Sequence, residues 1–66
     1  MKIIVNGQEK VFNKNATVLE VLKELLIEDK VMAAAVNMNI VKQDNWNSCV
    51  LSDGDKLELL DFVGGG

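Results

Sequence analysis

The sequence contains no histidine, no proline, no arginine and only one cysteine, Cys49. Without histidine, neither a zinc site of clustered Cys and His side chains nor a Ser-His or Cys-His nucleophile pair can be assembled. A lone cysteine forms no internal disulfide, and no positive charge near Cys49 in the sequence favours its thiolate. We therefore predict that Cys49 is a small core residue, that the chain holds no metal, and that it is not itself an enzyme.

Positive charge and long apolar runs are also scarce. Seven lysines stand against ten carboxylates, so the net charge is −3 and argues against a nucleic-acid partner. The longest apolar runs, such as Val31–Val36, fall far short of the roughly 20 residues that span a bilayer. The N-terminal segment reaches a turn at Asn6-Gly7 before a signal-peptide core forms. We expect a cytoplasmic protein without membrane association.

The length of 66 residues predicts one domain. A chain of this size buries only about 60% of its unfolded surface, which leaves no room for both a packed core and an enclosed active site. The carboxylate pairs Glu28-Asp29 and Asp53-Asp55 are therefore interpreted as turn and cap residues rather than as general acid–base pairs.

The first half of the chain predicts a hairpin followed by a helix. Lys2–Val5 is β-branched and runs into Asn6-Gly7, the strongest two-residue hairpin signal, so residues 8–12 form the return strand. Thr17 and Glu20 fit a capping box. The helix that they open has a wide apolar stripe and is expected to fade around residues 28–30. The stripe consists of Val18, Leu22 and Leu25, flanked by Leu19, Val21 and Leu26.

The second half predicts short strands and one long strand. Val31–Val36 is a strand that ends in a turn at Asn37-Met38-Asn39, and Ile40-Val41 resumes briefly. Trp46 is expected to pack over the sheet edge. After a turn at residues 53–55, residues 56–63 alternate and lead into three glycines. This order predicts an α+β fold, a β-grasp roll with a mixed sheet and one main helix packed on one face. The domain covers residues 1–63 and a flexible tail covers residues 64–66.

An apolar patch is expected on the face of the sheet that lies away from the helix. Period-two alternation on the last strand turns Leu57 and Leu59 toward the helix and leaves Leu60 and Phe62 on the outer face. The same alternation on the first strand leaves Ile4 on that outer face. A contiguous exposed apolar patch usually indicates an interaction site, so we predict that Ile4, Leu60 and Phe62 dock a partner.

Several short motifs follow one another along the chain. They are Asn6 in the first turn, Thr17-Val18 with Leu22, Ala35-Val36-Asn37, Ile40-Val41, Trp46, Asp53-Gly54-Asp55 with Leu57, Glu58 and Leu59, and finally Val63-Gly64-Gly65-Gly66. Their order and spacing resemble those of the thiamine-biosynthesis sulfur carriers (the ThiS family), which are ubiquitin-like β-grasp proteins. The chain departs from the family pattern at Lys42-Gln43, where family members often have Pro-Arg, so the contacts of that loop do not carry over.

The resemblance implies a chemical cycle at the carboxylate of Gly66. An E1-like (ThiF-like) adenylyltransferase would adenylate this carboxylate with ATP, and a persulfide from a cysteine desulfurase or another donor would convert the adenylate to a thiocarboxylate. Thiazole synthase (ThiG-like) would then accept the sulfur. Gly64 and Gly65 would thread through a narrow channel, because glycine has no Cβ. The chain would bind no cofactor permanently and would serve as a protein co-substrate.

Two other functions stay open at this point. The small subunit of molybdopterin synthase uses the same tail chemistry, although its chains are typically longer. A ubiquitin-like modifier would join its glycine end to lysines through isopeptide bonds, and a simple binding module would make no chemical use of it. Mass spectrometry separates these classes, because a carrier exchanges one oxygen for sulfur whereas a modifier forms ladders on larger proteins.

Overall fold

The structure, a computed structural model, describes residues 1–62, with side chains through residue 60. Val63, the last residue of the predicted domain, and the predicted tail of Gly64, Gly65 and Gly66 lie outside the described residues. The elements are β1 (Lys2–Val5), β2 (Gln8–Val11), α1 (Val18–Glu24), β3 (Val31–Val36), β4 (Asn39–Val41), a 3₁₀ turn (Gln43–Asn45) and β5 (Lys56–Phe62).

The final strand lies at the centre of the sheet. The five strands are ordered β2-β1-β5-β3-β4. β5 pairs parallel with β1 and antiparallel with β3, while β1–β2 and β3–β4 are antiparallel hairpins. The predicted mixed sheet with one helix is therefore confirmed.

Both hairpins turn on two residues with positive φ. Asn6 and Gly7 have φ angles of 47° and 84°, as the predicted type I′ turn requires. Asn37 and Met38 have φ angles of 49° and 72° and join β3 to β4 in the same way. The second turn is one residue shorter than predicted, because Asn39 pairs with Val36 and belongs to β4.

The helix begins where the sequence predicts. The Thr17 hydroxyl accepts a hydrogen bond from the Glu20 N–H at 3.1 Å, and the Glu20 carboxylate accepts one from the Thr17 N–H at 2.8 Å. This reciprocal pair is the predicted capping box, and it satisfies two backbone donors that the first turn of a helix leaves without partners.

The helix ends earlier than predicted, at Glu24 rather than around residues 28–30. Leu26 has a φ of 61°, its N–H donates to the Lys23 carbonyl, and the Ile27 N–H donates to the Leu22 carbonyl. These bonds form a Schellman motif, which stops a helix through one left-handed residue. Leu26 is consequently 80% exposed and is not part of the apolar stripe. No helix within residues 1–62 is long and apolar enough to cross a membrane.

The core lies between α1 and one face of the sheet. Its buried members include Trp46, whose indole N–H donates to the Val41 carbonyl at 2.9 Å, so the predicted packing role of Trp46 is confirmed. The core cluster consists of Ile3, Val5, Phe12, Ala16, Val18, Val21, Leu22, Val31, Ala34, Trp46, Leu51, Leu57 and Leu59.

Candidate functional site at the outgoing half of β5

The side chains of β5 alternate between the two faces of the sheet as predicted. Leu57 and Leu59 are 0% and 4% exposed and belong to the core, whereas Leu60 is 41% exposed. Leu60 lies opposite Ala33 of β3, whose small side chain leaves the leucine accessible. Leu60 is therefore an apolar side chain on the outer face of the sheet. It lies in the second part of the strand, residues 59–62, which we call the outgoing half of β5.

The structure does not bring all three predicted docking residues together. Ile4 lies on the outer face and is half-buried, but it pairs with Lys56 at the start of β5. Leu60 is four residues further along β5, a separation of about 13 Å at 3.3 Å per residue. The backbone of Phe62 pairs with Val31, and its side chain lies outside the described residues. Ile4 and Leu60 therefore share a face without forming one contiguous patch.

Ile40 is an exposed apolar residue of this face that the sequence analysis did not single out. It is 65% exposed and pairs with Ala35 on β3. Ala35 in turn pairs with Glu58 on β5, so Ile40 lies on the same face as Leu60. β4 has only three residues, so alternation along it does not indicate on which face of the sheet Ile40 lies. The pairing of β4 with β3 determines that face.

The start of β5 is held by a polar network around its turn. Asp53 accepts from the Lys2 N–H at 2.6 Å, and Asp55 accepts from the Ser52 N–H at 2.8 Å. The Asn37 side chain donates to Asp55 and accepts from the Lys56 N–H, both at 3.0 Å. The two aspartates are therefore turn residues, as predicted, and their carboxylates fix the strand that leads to the glycines.

The middle of β5 is held by the side chain of Asn6. Its Oδ1 accepts a hydrogen bond from the Leu59 N–H at 2.7 Å, and its Nδ2 donates to the Leu59 carbonyl at 3.5 Å. This contact links the first turn of the chain to the outgoing half of β5.

Cys49 has the environment of a structural residue. It is partly buried and packs against the core cluster, as predicted. Burial raises the pKa of its thiol, and the negative charge of Asp55 raises it further. Both effects favour the protonated thiol, which is a poor nucleophile.

Two of the open clefts on the described surface have volumes of about 440 Å³ and 510 Å³. Asp53 and Leu51 are among the residues that line the first, and Leu26 and Glu28 are among those that line the second. Neither cleft is lined by Ile4 or Leu60. Among the described residues, no group of three potential metal ligands occurs.

Comparison with known proteins gives relatives along the whole chain. A thiazole synthase from Paramagnetospirillum magneticum (strain ATCC 700264 / AMB-1) is 38% identical over 66 residues, which are 100% of this chain but only 20% of that longer protein. The sulfur carrier protein ThiS from Escherichia coli (strain K12) is 32% identical over 66 residues, and the match covers 100% of both chains.

A solved structure supports the same grouping. The crystal structure of the thiamine biosynthesis protein ThiS from Geobacter metallireducens superposes with a TM-score of 0.82 at 27% identity and covers 100% of both chains. This similarity confirms the predicted β-grasp fold. The family model described as the ThiS family matches residues 2–66. On this evidence the chain belongs to the ThiS family.

Proposed function

We propose that the protein is a sulfur carrier of thiamine biosynthesis and that it carries the sulfur as a thiocarboxylate on Gly66. The observation that carries this proposal is the extent of the family match, which runs to residue 66 and so includes all three glycines. The end-to-end match with the Escherichia coli sulfur carrier supports the same assignment. The glycines are then part of the family pattern rather than an addition to it.

The proposed chemistry begins with an E1-like adenylyltransferase. A carboxylate oxygen of Gly66 attacks the α-phosphorus of ATP and displaces pyrophosphate, which gives an acyl adenylate. The terminal sulfur of a protein persulfide then attacks the acyl carbon and displaces AMP. A second thiol attacks the donor's sulfur in the resulting acyl disulfide and forms a disulfide with it, which leaves the other sulfur on Gly66 as a thiocarboxylate. A cysteine desulfurase is the persulfide source in this scheme, and ATP is a substrate of the activating partner.

The glycine residues suit this chemistry for a steric reason. Gly64, Gly65 and Gly66 have no Cβ, so the segment fits a narrow channel and reaches φ angles that other residues avoid. No side chain on Gly66 obstructs attack at its carbonyl carbon. The carrier therefore contributes an unobstructed carboxylate, and its partners contribute the catalytic groups.

We further propose thiazole synthase as the acceptor of the sulfur. The thiazole synthase from Paramagnetospirillum magneticum contains a stretch that is 38% identical to the whole of this chain. The presence of a carrier-like stretch within a thiazole synthase supports a close functional relation between the two. The cycle consumes ATP and needs reduced thiols, so we propose the cytoplasm as its compartment.

The outer face of the sheet is the proposed docking surface for the activating enzyme. Leu60 lies in the outgoing half of β5, three residues after the buried Leu57, and its side chain is 41% exposed. Phe62, two residues after Leu60, stays a predicted docking residue, and Ile4 is a second, separate docking position on the same face, beside the start of β5. Burial of apolar area contributes about 25 cal/mol per Å², of which association costs remove a large part.

The test is the intact mass of the protein after incubation with ATP, the activating enzyme, a cysteine desulfurase and cysteine. We expect a mass gain equal to the replacement of one oxygen by sulfur. A variant that lacks Gly66, and a variant with one residue appended after it, should show no gain while unfolding at the wild-type denaturant concentration. A mass gain in the variant without Gly66 would contradict the proposal. Ladders on larger proteins would identify a modifier instead.

A further inference from the structure

The parallel pairing between β1 and β5 is short. It joins Ile4 to Lys56 and Val5 to Leu57, and β1 then ends because the chain turns at Asn6-Gly7. The last backbone hydrogen bond that the described residues show on this side of β5 runs from the Asn6 N–H to the Leu57 carbonyl at 3.0 Å. Beyond this point, β1 offers no further strand residue to the outgoing half of β5.

The side chain of Asn6 takes the place of that missing strand residue. Its Oδ1 accepts from the Leu59 N–H at 2.7 Å, and its Nδ2 faces the Leu59 carbonyl at 3.5 Å. An asparagine amide has the same donor and acceptor groups as a peptide bond, so it extends the pairing by one position. On the other side, β3 continues to pair with β5 at Leu60 and Phe62.

The turn alone does not require this side chain. Asn6 has a φ of 47°, and glycine adopts that angle more readily than any other residue. A Gly-Gly pair also forms type I′ turns. The amide of Asn6 therefore has a role separate from the turn, namely its contact with Leu59.

Asn37 is a natural matched control for Asn6. It also has a positive φ, 49°, at the first position of a two-residue turn, and its side chain also binds β5. Its contacts are with the Lys56 N–H and Asp55, at the start of the strand. The two asparagines thus make similar bonds to opposite halves of β5, and the bond of Asn6 is the one in the half that leads to the glycines.

We propose that Asn6 is a positioning residue, which fixes the direction in which the outgoing half of β5 delivers the glycine segment to the activating enzyme. This role rests on the proposed function. Without the amide, β3 still pairs with the strand beyond Leu57, but the β1 side of the strand is no longer held. Ordering this strand when the activating enzyme binds then costs binding free energy. The substitution should therefore weaken binding of the carrier and leave the chemistry at the carboxylate unchanged.

The first experiment measures the contact itself, without any enzyme. Amide hydrogen exchange is followed by NMR in wild-type protein and in Asn6→Gly, Asn6→Asp and Asn37→Gly. We expect the Leu59 amide to exchange roughly tenfold faster in Asn6→Gly, in line with the loss of one net hydrogen bond. Asn6→Asp keeps the acceptor but replaces the donor with a carboxylate oxygen that faces the Leu59 carbonyl, so its exchange rate should lie between those of wild type and Asn6→Gly. Asn37→Gly should affect the Lys56 amide instead. Unchanged protection of Leu59 in Asn6→Gly would overturn the proposal.

The second experiment measures ATP–pyrophosphate exchange by the activating enzyme with each variant as substrate. We expect Asn6→Gly to raise KM roughly three- to tenfold, the range of one net hydrogen bond, with kcat within about twofold. Asn6→Asp keeps the acceptor but not the donor, so its KM should lie between those of wild type and Asn6→Gly. Asn37→Gly should leave KM unchanged even though it also loses stability. Equal KM values for Asn6→Gly and Asn37→Gly would overturn the role of Asn6. Absence of exchange with wild-type protein would instead refute the proposed function, and with it the role.

Discussion

The two faces of the sheet differ in how they are covered. On the inner face, Ile3, Val5, Leu57 and Leu59 are at most 5% exposed because α1 packs over them. On the outer face, Leu60 is 41% exposed and Ile40 is 65% exposed, and among the described residues no helix covers this side. The difference shows that the domain draws its hydrophobic stability from one face. Because the proposed docking residue Leu60 lies on the other face, substitutions on the two faces should separate folding from recognition.

The largest expected effect is on the inner face. Leu57→Ala removes a side chain that is 0% exposed and should lower the free energy of unfolding by about 2–5 kcal/mol, through lost burial and the cavity left behind. Urea denaturation measures this loss. The matched change on the outer face, Leu60→Ala, should cost about 1 kcal/mol or less. Equal losses at the two positions would mean that the outer face is also part of the core.

Leu60→Asp should weaken recognition while leaving the fold intact. We expect KM for the activating enzyme to rise well over tenfold, about the effect of removing one apolar contact from the centre of an interface. The thermal midpoint should change little because Leu60 is 41% exposed and is not a member of the core cluster. Val11→Asp is the control, since Val11 is 75% exposed on the same face but at the β2 edge, opposite Lys2. If Leu60→Asp unfolds the domain, or if Val11→Asp raises KM equally, the docking assignment is wrong.

Leu26→Gly should stabilise the protein. Leu26 follows the end of α1 and is 80% exposed, so its side chain adds little to the core. Its φ of 61° is in the left-handed region, so its backbone is strained. Glycine relieves a strain of about 1–2 kcal/mol but loses more entropy on folding, which leaves a gain of about 1 kcal/mol. Chemical denaturation measures the gain. A loss of stability would show that the Leu26 side chain packs against the domain in solution.

The smallest effect is expected at Cys49. Cys49→Ala should lower the free energy of unfolding by about 1 kcal/mol or less and leave sulfur loading unchanged.

Stability should also depend on pH through this thiol. Burial and Asp55 raise the pKa of the Cys49 thiol, so the unfolded chain loses this proton at a lower pH than the folded chain. The stability contribution of the thiol is complete below its unfolded pKa of about 8.5 and is lost as pH rises through the folded value. Urea titrations of both proteins between neutral pH and pH 10 would measure the difference. Loss of loading in folded Cys49→Ala would contradict the structural role.

Local signals in the sequence predicted most of the fold. The Asn6-Gly7 turn and the capping box of Thr17 and Glu20 each involve residues at most three positions apart, and both form as predicted. The end of α1 was missed because the left-handed position at Leu26 is usually taken by glycine. Here the apolar periodicity continues past the point where the backbone stops the helix.

The candidate site was only partly predictable for a different reason. Alternation correctly placed Leu60 on the outer face, but it gives no information on register between strands that are distant in the sequence. The separation of Ile4 from Leu60 depends on that register. The Asn6–Leu59 bond joins residues 53 positions apart, and no spacing rule indicates such a contact. The glycines, by contrast, were recognised from the family pattern, with which the family match through residue 66 agrees.

The central position of β5 has a consequence for synthesis of the protein. β5 leaves the ribosome after the other four described strands, yet it is the strand that joins the β1–β2 hairpin to the β3–β4 hairpin. Before it emerges, the two hairpins expose the open edges that β5 later covers, and such edges favour aggregation. Closure must also bring together residues as far apart as Asn6 and Leu59, which slows folding relative to a helical bundle. A nascent chain that stops short of β5 therefore cannot complete the sheet, and chaperones and proteases can recognise it by its open edges.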